Sequence, residues 1–349
     1  MKKVIYTLSA ALIAGSVSAQ VVSTAQIYIS DGAVMSVGQD FQNKGELTNN
    51  GQMNFRKNLE NNGQLKSEGS VVFDGLGKQT VSGTNDVVLS KVTIENDVDL
   101  KTSLLVNENL TYDKGIVSSS QENQLVFAKD ANAFGASDFS HSTGVVTKLK
   151  ADNFEFPVGD GTTYRGFEAK SQNNSNLSAE YKAQDPREFS KDLANGTDYV
   201  NESEYWVLKS SSSNDIASVE LHGTYEKSVA YLKKGAWTIS ENSAFDKKSG
   251  LERGVMFTSG DGKFVKSGIG VWPNPTQGDF NLKLTGMNGA DEITVDVTNQ
   301  DGRVVLRKKG TVAELRNVYS LPVSLVTTQL TVRVINGIDV LTEKLVLNR

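Results

Sequence analysis

The sequence predicts an all-β protein in three parts: an N-terminal β-solenoid of the parallel β-helix kind, a middle antiparallel β-sandwich, and a C-terminal β-sandwich of seven strands. Three observations carry that expectation. An apolar residue recurs every six positions near the N-terminus, and alternating strands separated by frequent turns fill the middle. Asp-Gly and Asn-Gly hairpin turns punctuate the end. No long stretch repeats at the helical period, while Val, Ile, Leu and Phe come in short runs broken by Gly, Asn and Asp.

The first segment is read as an address rather than as structure. Lys2 and Lys3 make a basic start, Val4 to Val17 is apolar or weakly polar, and Val17-Ser18-Ala19 offers the small residues a signal peptidase reads. The run is shorter than the ~20 apolar residues of a membrane span. Residues 1–19 are therefore expected to be a secretory signal peptide, with the mature chain starting at Gln20. The sequence contains no cysteine, which excludes both a lipoprotein anchor and a disulfide scaffold. Losing the two lysines takes the formal charge from -5 to -7, which argues against nucleic acid and anionic membranes as partners. No later segment is long and apolar enough for a membrane span.

Residues 20–150 are expected to form the solenoid. Written in sixes, residues 43–78 read NKGELT, NNGQMN, FRKNLE, NNGQLK, SEGSVV, FDGLGK. Met35, Phe41, Leu47, Met53, Leu59, Leu65 and Val71 fall on one beat. Six is even, so these side chains point to one face of an extended chain. Gly45, Gly51, Gly63, Gly69 and Gly75 fall two residues earlier, with Lys57 the exception, and read as corners tolerant of positive φ. A strand this short cannot bury its inward residue alone, so stacked coils must share a column. After residue 78 the strict beat fades into less regular coils. A similar beat occurs in left-handed helices of acyltransferases, which use histidine as general base. Residues 20–140 contain no histidine, so that chemistry is not expected here.

Residues 151–265 are expected to be the middle sandwich. FEFPVGDGTTYRGFEA (154–169) alternates aromatics and then turns at Val158-Gly-Asp-Gly161. Strands follow around Tyr205–Leu208, Ala217–Leu221, Val229–Tyr231 and Ala236–Ile239, with Trp206 and Trp237 as core residues. Residues 266–271 read as a linker because of Gly268 and Gly270. Residues 272–349 form the last unit. Its approach, VWPNPTQGDF (271–280), holds two of the five prolines in the chain, so φ is fixed at Pro273 and Pro275 and a turn is expected at Gly278. Strands are expected at 280–284, 293–297, 303–306, 319–323, 330–335 and 340–347, with turns at Asn299–Gly302 and Asn336-Gly337.

Two resemblances follow from these motifs. The Asn/Gly-rich coils, the Phe-Pro-Val-Gly-Asp-Gly…Tyr-Arg segment and the Tyr205-Trp206 strand resemble surface proteins of Bacteroidota over about residues 40–260, and imply no particular activity. More specifically, Pro273-Asn274-Pro275 with Gly278, the Asp301-Gly302-Arg303-Val304-Val305 turn and strand, and Lys344-Leu-Val-Leu347 resemble the type A C-terminal sorting domain of type IX secretion cargo. That resemblance implies recognition by the outer-membrane translocon, collection by a shuttle β-barrel, and removal of the domain by a sortase-like peptidase. Many members carry Gly-x-Tyr before the penultimate strand, where this chain has Thr328-Gln-Leu-Thr-Val-Arg333. The departure bears on processing rather than on recognition.

Little in the sequence suggests catalysis. With no cysteine and two histidines, Cys/His nucleophile sites and common zinc sites are excluded. His141 reads as a loop residue and His222 as a strand-edge residue. Asp160 and Asp261 sit in Gly-Asp-Gly turns without the spaced acids of a calcium loop. Gly159/Gly161 and Gly268/Gly270 lack the helix a phosphate loop needs. No catalytic, cofactor or metal residue is therefore assigned. The expected role is a non-enzymatic exported protein at the cell surface or in the medium, serving adhesion or gliding motility. The alternatives are a secreted glycan-binding or glycan-active protein and a cargo retained on the translocon.

Overall fold

The computed structural model describes residues 20–349 apart from 213–215, 222–227, 241–253, 263–266, 288 and 338. The expected leader (1–19) and His222 lie outside the described residues, as does Lys266 of the expected linker. Strands dominate, and helix among the described residues is limited to single turns at Pro186–Glu188 and Val312–Leu315. No helix among the described residues is long and apolar enough to cross a membrane.

The six-residue beat is a solenoid. Each of the first coils contributes three short strands: Gln20–Ser23, Gln26–Ile29 and Val34–Val37, then Asp40–Asn43, Glu46–Asn49 and Gln52–Phe55, then Leu59–Asn61, Gln64–Ser67 and Ser70–Phe73. Three beats close one coil, so partners stand 18 residues apart: Phe41 over Leu59, Leu47 over Leu65, Met53 over Val71. All pairing between coils is parallel. Phe41, Leu47, Met53, Leu59 and Val71 are buried, while Met35 and Leu65 are partly buried against the same core. Burying each such side chain contributes about 1.5–3 kcal/mol.

Two features of the corners differ from the sequence reading. First, each strand points two residues inward, not one. The second inward position carries Phe55 and Phe73, whose rings stack 5.8 Å apart, an asparagine, an aliphatic residue (Ile29, Val37) or a serine (Ser23, Ser67). Asn43, Asn49 and Asn61 are buried. The Asn43 side-chain amide donates to Asn61 Oδ1 at 2.9 Å and to the Gln64 carbonyl at 2.9 Å, and its Oδ1 accepts the Gly45 N–H at 3.2 Å. Asn43, and likewise Asn49 through the Ser70 carbonyl and the Gly51 N–H, satisfies backbone groups at the corner, while Asn61 accepts from the Asn43 amide. Second, Gly45, Gly51, Gly63 and Gly69 do not have positive φ. A Cβ on Gly69 would stand 2.0 Å from the Gly51 carbonyl oxygen, and one on Gly63 would stand 2.3 Å from that of Gly45. Close approach of successive coils, not turn conformation, requires glycine there.

The beat fades after residue 78 because the corner between two faces disappears. Strand Val87–Ile94 runs through it with a register shift between Leu89 and Lys91. Ser90 occupies the bend and its hydroxyl donates to the Ser67 carbonyl at 2.9 Å. Leu104–Tyr112 follows the same course.

The middle sandwich exists but is not separated from the solenoid. The parallel sheet ends at Val146–Lys148, which pairs antiparallel with Leu177–Lys182, and Tyr205–Ser210, Gly254–Gly262, Ser228–Lys233 and Ala236–Ile239 extend the same sheet. A second layer, Phe154–Phe156, Phe167–Ser171 and Ile216–Leu221, covers it. One hydrophobic core runs from Ile29 to Phe257 across the expected boundary at residue 150. Trp206 stacks on Phe257 at 5.5 Å and donates its indole N–H to the Arg165 carbonyl at 2.8 Å; Trp237 is equally buried and donates to the Ser190 carbonyl at 2.9 Å. The buried Glu204 carboxylate accepts from Arg165 Nε and Tyr181 OH, both at 2.8 Å. Arg165 thus holds the layers together through backbone and side chain.

Lys148 lies at this junction. It is buried, donates to the carbonyls of Ala128, at 2.8 Å, and Ala131, and stands 4.7 Å from the Phe154 ring centroid. Burial pushes its ammonium down to about 8 from the ordinary 10.5, against the opposing charge of Asp130. The unfolded chain therefore holds the extra proton between these two values, and stability contributed through this group rises with pH across that window. We expect the urea midpoint of the native chain, relative to Lys148→Met, to be higher at pH 10 than at pH 7.5. A difference independent of pH would show that Lys148 keeps its ordinary proton affinity when folded.

The C-terminal unit is a seven-stranded sandwich. Gly268–Trp272, Asp279–Thr285 and Val318–Ser320 form one sheet; Val304–Thr311, Glu292–Thr298, Thr328–Asn336 and Asp339–Leu347 form the other, in that order. Phe280, Leu282, Ile293, Val295, Val332 and Leu345 fill its separate core. Gly268–Val271, expected to be linker, belongs to a strand paired with Asp279–Thr285. The helical turn Val312–Leu315, with Thr311 and Glu314 as a capping box, was not legible in the sequence.

Candidate functional site

The two ends of the C-terminal sandwich meet at one place. Asp339–Leu347 is the edge strand of its sheet, so one side of it lacks a neighbour within that sheet. The Pro273–Thr276 segment fills the final part of that edge. The Asn274 side chain behaves as a peptide group: Nδ2 donates to the Lys344 carbonyl at 2.7 Å and Oδ1 accepts the Val346 N–H at 2.9 Å. Thr276 continues the pairing through its backbone, donating to the Val346 carbonyl and accepting from the Asn348 N–H, each at 2.8 Å. Pro273 and Pro275 flank the asparagine and lack N–H groups that would compete for these acceptors.

Gly278 completes the clasp. Its φ is +149°, and a Cβ would stand 2.5 Å from a guanidinium nitrogen of Arg349. That guanidinium donates to the carbonyls of Gln277 at 2.9 Å, Pro322 at 2.7 Å, and Leu321 and Leu325 at 3.2 Å. The Gly278 carbonyl accepts the Leu321 N–H at 2.8 Å. Pro273, Asn274, Pro275, Gly278 and Lys344, some seventy residues apart in sequence, are thus brought to one edge. For Lys344 the backbone carbonyl makes the contact and the side chain is exposed. Thr276 and Arg349 were missed. Thr276 is buried, and the only signal for it is its place after the second proline; an arginine at the last position of a chain carries no pattern.

Asp301 and Gly302 are elsewhere. They form the hairpin joining Glu292–Thr298 to Val304–Thr311, where Asn299 Oδ1 accepts the N–H of Asp301 at 3.1 Å and of Arg303 at 2.9 Å, and Gly302 has φ +77°. The pair shapes a turn and does not touch the clasp through any of these bonds. Beside it, the Arg307 guanidinium grips buried Asp296 through two bonds of 2.6 and 2.7 Å and holds that carboxyl below its usual range.

The residues weighed for chemistry are otherwise engaged. His141, expected in a loop, is buried in strand Ser140–Thr143; its Nδ1 bonds the Ser137 carbonyl and its Nε2 accepts the Gly161 N–H, both at 2.9 Å. Asp160 Oδ1 accepts from Thr162 N at 2.8 Å, Thr162 Oγ1 at 2.7 Å and Thr163 N at 2.7 Å, which stabilises the turn. Asp261 Oδ1 accepts the Gly262 N–H at 2.8 Å at the end of strand Gly254–Gly262. No group of three or more His, Asp or Glu side chains suited to a metal occurs among the described residues.

The C-terminal unit is thus a seven-stranded sandwich whose Pro-Asn-Pro segment clasps its own last strand. Residues 270–348 match the family model described as a secretion system C-terminal sorting domain. The protein is accordingly a cargo of type IX secretion, exported to the cell surface or the medium. A search of curated proteins returns no match to the chain. Among solved structures, the β-glucuronidase of Faecalibacterium prausnitzii is similar over 50% of this chain and 37% of its own, at 10% identity and a TM-score of 0.20. The Ruminococcus gnavus β-glucuronidase in complex with D-glucuronic acid is similar over 50% and 36%, at 12% identity and a TM-score of 0.19. The chain thus spans little more than a third of the structures it matches, and likenesses of this size carry no argument about activity.

Proposed function

We propose that this cargo is a non-enzymatic surface protein that serves adhesion or gliding motility, and that the clasped edge is what the export machinery reads. The observation that supports the first part is the outer wall of the solenoid. Gln42 Nε2 donates to Glu60 Oε1 at 2.7 Å across neighbouring coils, and Gln26 Nε2 to Glu46 Oε2 at 3.2 Å. Outward polar side chains thus bond between neighbouring coils, and a polar wall of this kind suits many repeated weak contacts. The buried histidine and the aspartates are bonded in ways that serve folding. If the reading holds, cells lacking residues 20–265 attach and spread less than the parent. Unchanged attachment and spreading, together with lost growth on a glycan, would favour a glycan-active protein instead.

The second part is tested by transfer. Residues 266–349 fused behind a signal peptide and a neutral reporter should reach the cell surface only in a host with type IX secretion. The translocon and a shuttle β-barrel are the proposed partners, with a sortase-like peptidase acting afterwards. Removing Glu343–Arg349 should abolish export, because it deletes the strand segment that the clasp holds. Pro273→Ala should weaken export less, since Asn274 and Thr276 still supply the edge bonds. Equal export with and without residues 272–349 would overturn the assignment.

A further inference from the structure

The two faces of the four-stranded sheet in the C-terminal sandwich differ in kind. Val295, Val297, Val332, Val334 and Leu345 point into the core, and the residues that alternate with them point outward. On the outer face the register sets Arg307, Asp296, Arg333 and Thr342 in one row across the four strands. The two carboxylates of this face are already taken. Asp296 is gripped by Arg307 through bonds of 2.6 and 2.7 Å, and Glu292 pairs with Lys309 at 3.4 Å. Arg333 acts on Asp296 through its charge alone. Among the described residues neither Arg333 nor Lys344 makes a side-chain hydrogen bond or ion pair. Lys344 stands opposite Thr331, one same-face position along from Thr342, so it and Arg333 are diagonal neighbours about 7–8 Å apart. Two cations are thus left over, side by side, on a face open to solvent.

The excess of cations is local. The whole chain carries -5, the leader +2 from Lys2 and Lys3, and residues 266–349 +2 from ten Lys/Arg against eight Asp/Glu, which leaves -9 on residues 20–265. A body of that sign is repelled by an anionic bilayer, whereas a compact acidic surface can meet the terminal unit by itself. The cationic pair also adjoins the clasp. Lys344 gives its carbonyl to Asn274 and keeps its side chain exposed on the outer face.

We propose that this outer face is an electrostatic docking surface for an acidic protein surface of the type IX export machinery, with Arg333 and Lys344 each taking a carboxylate. The inference rests on the reading that the machinery recognises this unit, and it adds the chemistry recognised beside the clasped edge. An arginine fork receives a carboxylate through two parallel N–H bonds, and a lysine receives one as a compact point charge. Complementary charge of this kind steers encounter and fixes orientation more than it adds affinity, which suits a cargo that has to be handed on.

The test uses the full chain in a host with type IX secretion. Arg333→Gln with Lys344→Gln should lower the amount at the surface and in the medium at least about tenfold, while the periplasmic chain keeps its unfolding midpoint. Arg333→Lys with Lys344→Arg keeps both charges and should keep most of the export. Lys283→Gln removes one exposed charge from the other sheet and should leave export unchanged. In vitro, the chain from Gln20 should bind fluorescent poly-L-glutamate at about 20 mM salt and release it by about 300 mM, with the double Gln variant at least about tenfold weaker. Parental export of that variant, while deletion of residues 272–349 blocks export, would overturn the inference and leave the sorting reading standing. Equal export after the deletion would overturn the sorting reading and this inference with it. If the charge-conserving pair lost export as fully as the Gln pair, shape rather than charge would be what is read, and the inference would fail. Binding to phosphatidylglycerol vesicles without binding to poly-L-glutamate would overturn it in favour of a lipid headgroup.

Discussion

Leu59→Asp is expected to lower the stability of the solenoid by about 4 kcal/mol or more, enough to unfold it near ordinary temperature. Leu59 is fully buried, with Phe41 below it and Val81 above it in the same column. A carboxylate there has no partner and no path to water, and the column passes the disruption to both neighbouring coils. Glu60→Ala is the control. Its side chain points outward, accepting from Gln42 and from Asn62, and its removal should cost no more than about 0.5 kcal/mol. Thermal and urea unfolding followed at β-sheet wavelengths would show the contrast. Equal shifts for the two variants would refute a continuous inward column.

Gly69→Ala should cost about 3 kcal/mol through a different physical term, overpacking. The added methyl would lie 2.0 Å from the Gly51 oxygen and 2.8 Å from the Gly51 nitrogen. Both are backbone atoms of the coil beneath, so relief requires two coils to separate and lose hydrogen bonds such as Ser70 N–H to the Gly51 carbonyl. Gly77→Ala offers a matched comparison, because a Cβ there meets nothing within 4 Å. That variant should be neutral within about 0.5 kcal/mol. If the two behaved alike, glycine at Gly69 would be needed only for chain flexibility, and the close-approach account would fail.

The solenoid was legible because an even period and an apolar beat leave one way to bury Phe41, Leu47, Met53, Leu59 and Val71 together. Its polar interior was not. Asn43, Asn49 and Asn61 look like turn formers in the sequence, since their burial depends on backbone groups of other coils that only stacking brings near. The C-terminal unit was legible through its turns and prolines, but the meeting of Asn274 with Lys344 and Val346 joins positions some seventy residues apart. His141 was misplaced in a loop because Ser-His-Ser-Thr lacks apolar alternation; its strand is held by Gly115–Ser118 and by a turn at Gly161.

By itself the sequence determined the all-β class, the inward column, the core tryptophans and the terminal module with its Pro-Asn-Pro signature. Each of these follows from local periodicity or from the fixed conformational preferences of single residues. Only the tertiary structure decided that solenoid and sandwich share one sheet and one core, that the corner glycines answer to crowding rather than to φ, and that Asn274 and Thr276 close the edge of the last strand. Those outcomes depend on which backbone groups are left unpaired once distant segments come together, and hydrogen-bond satisfaction between segments has no period that a linear sequence displays.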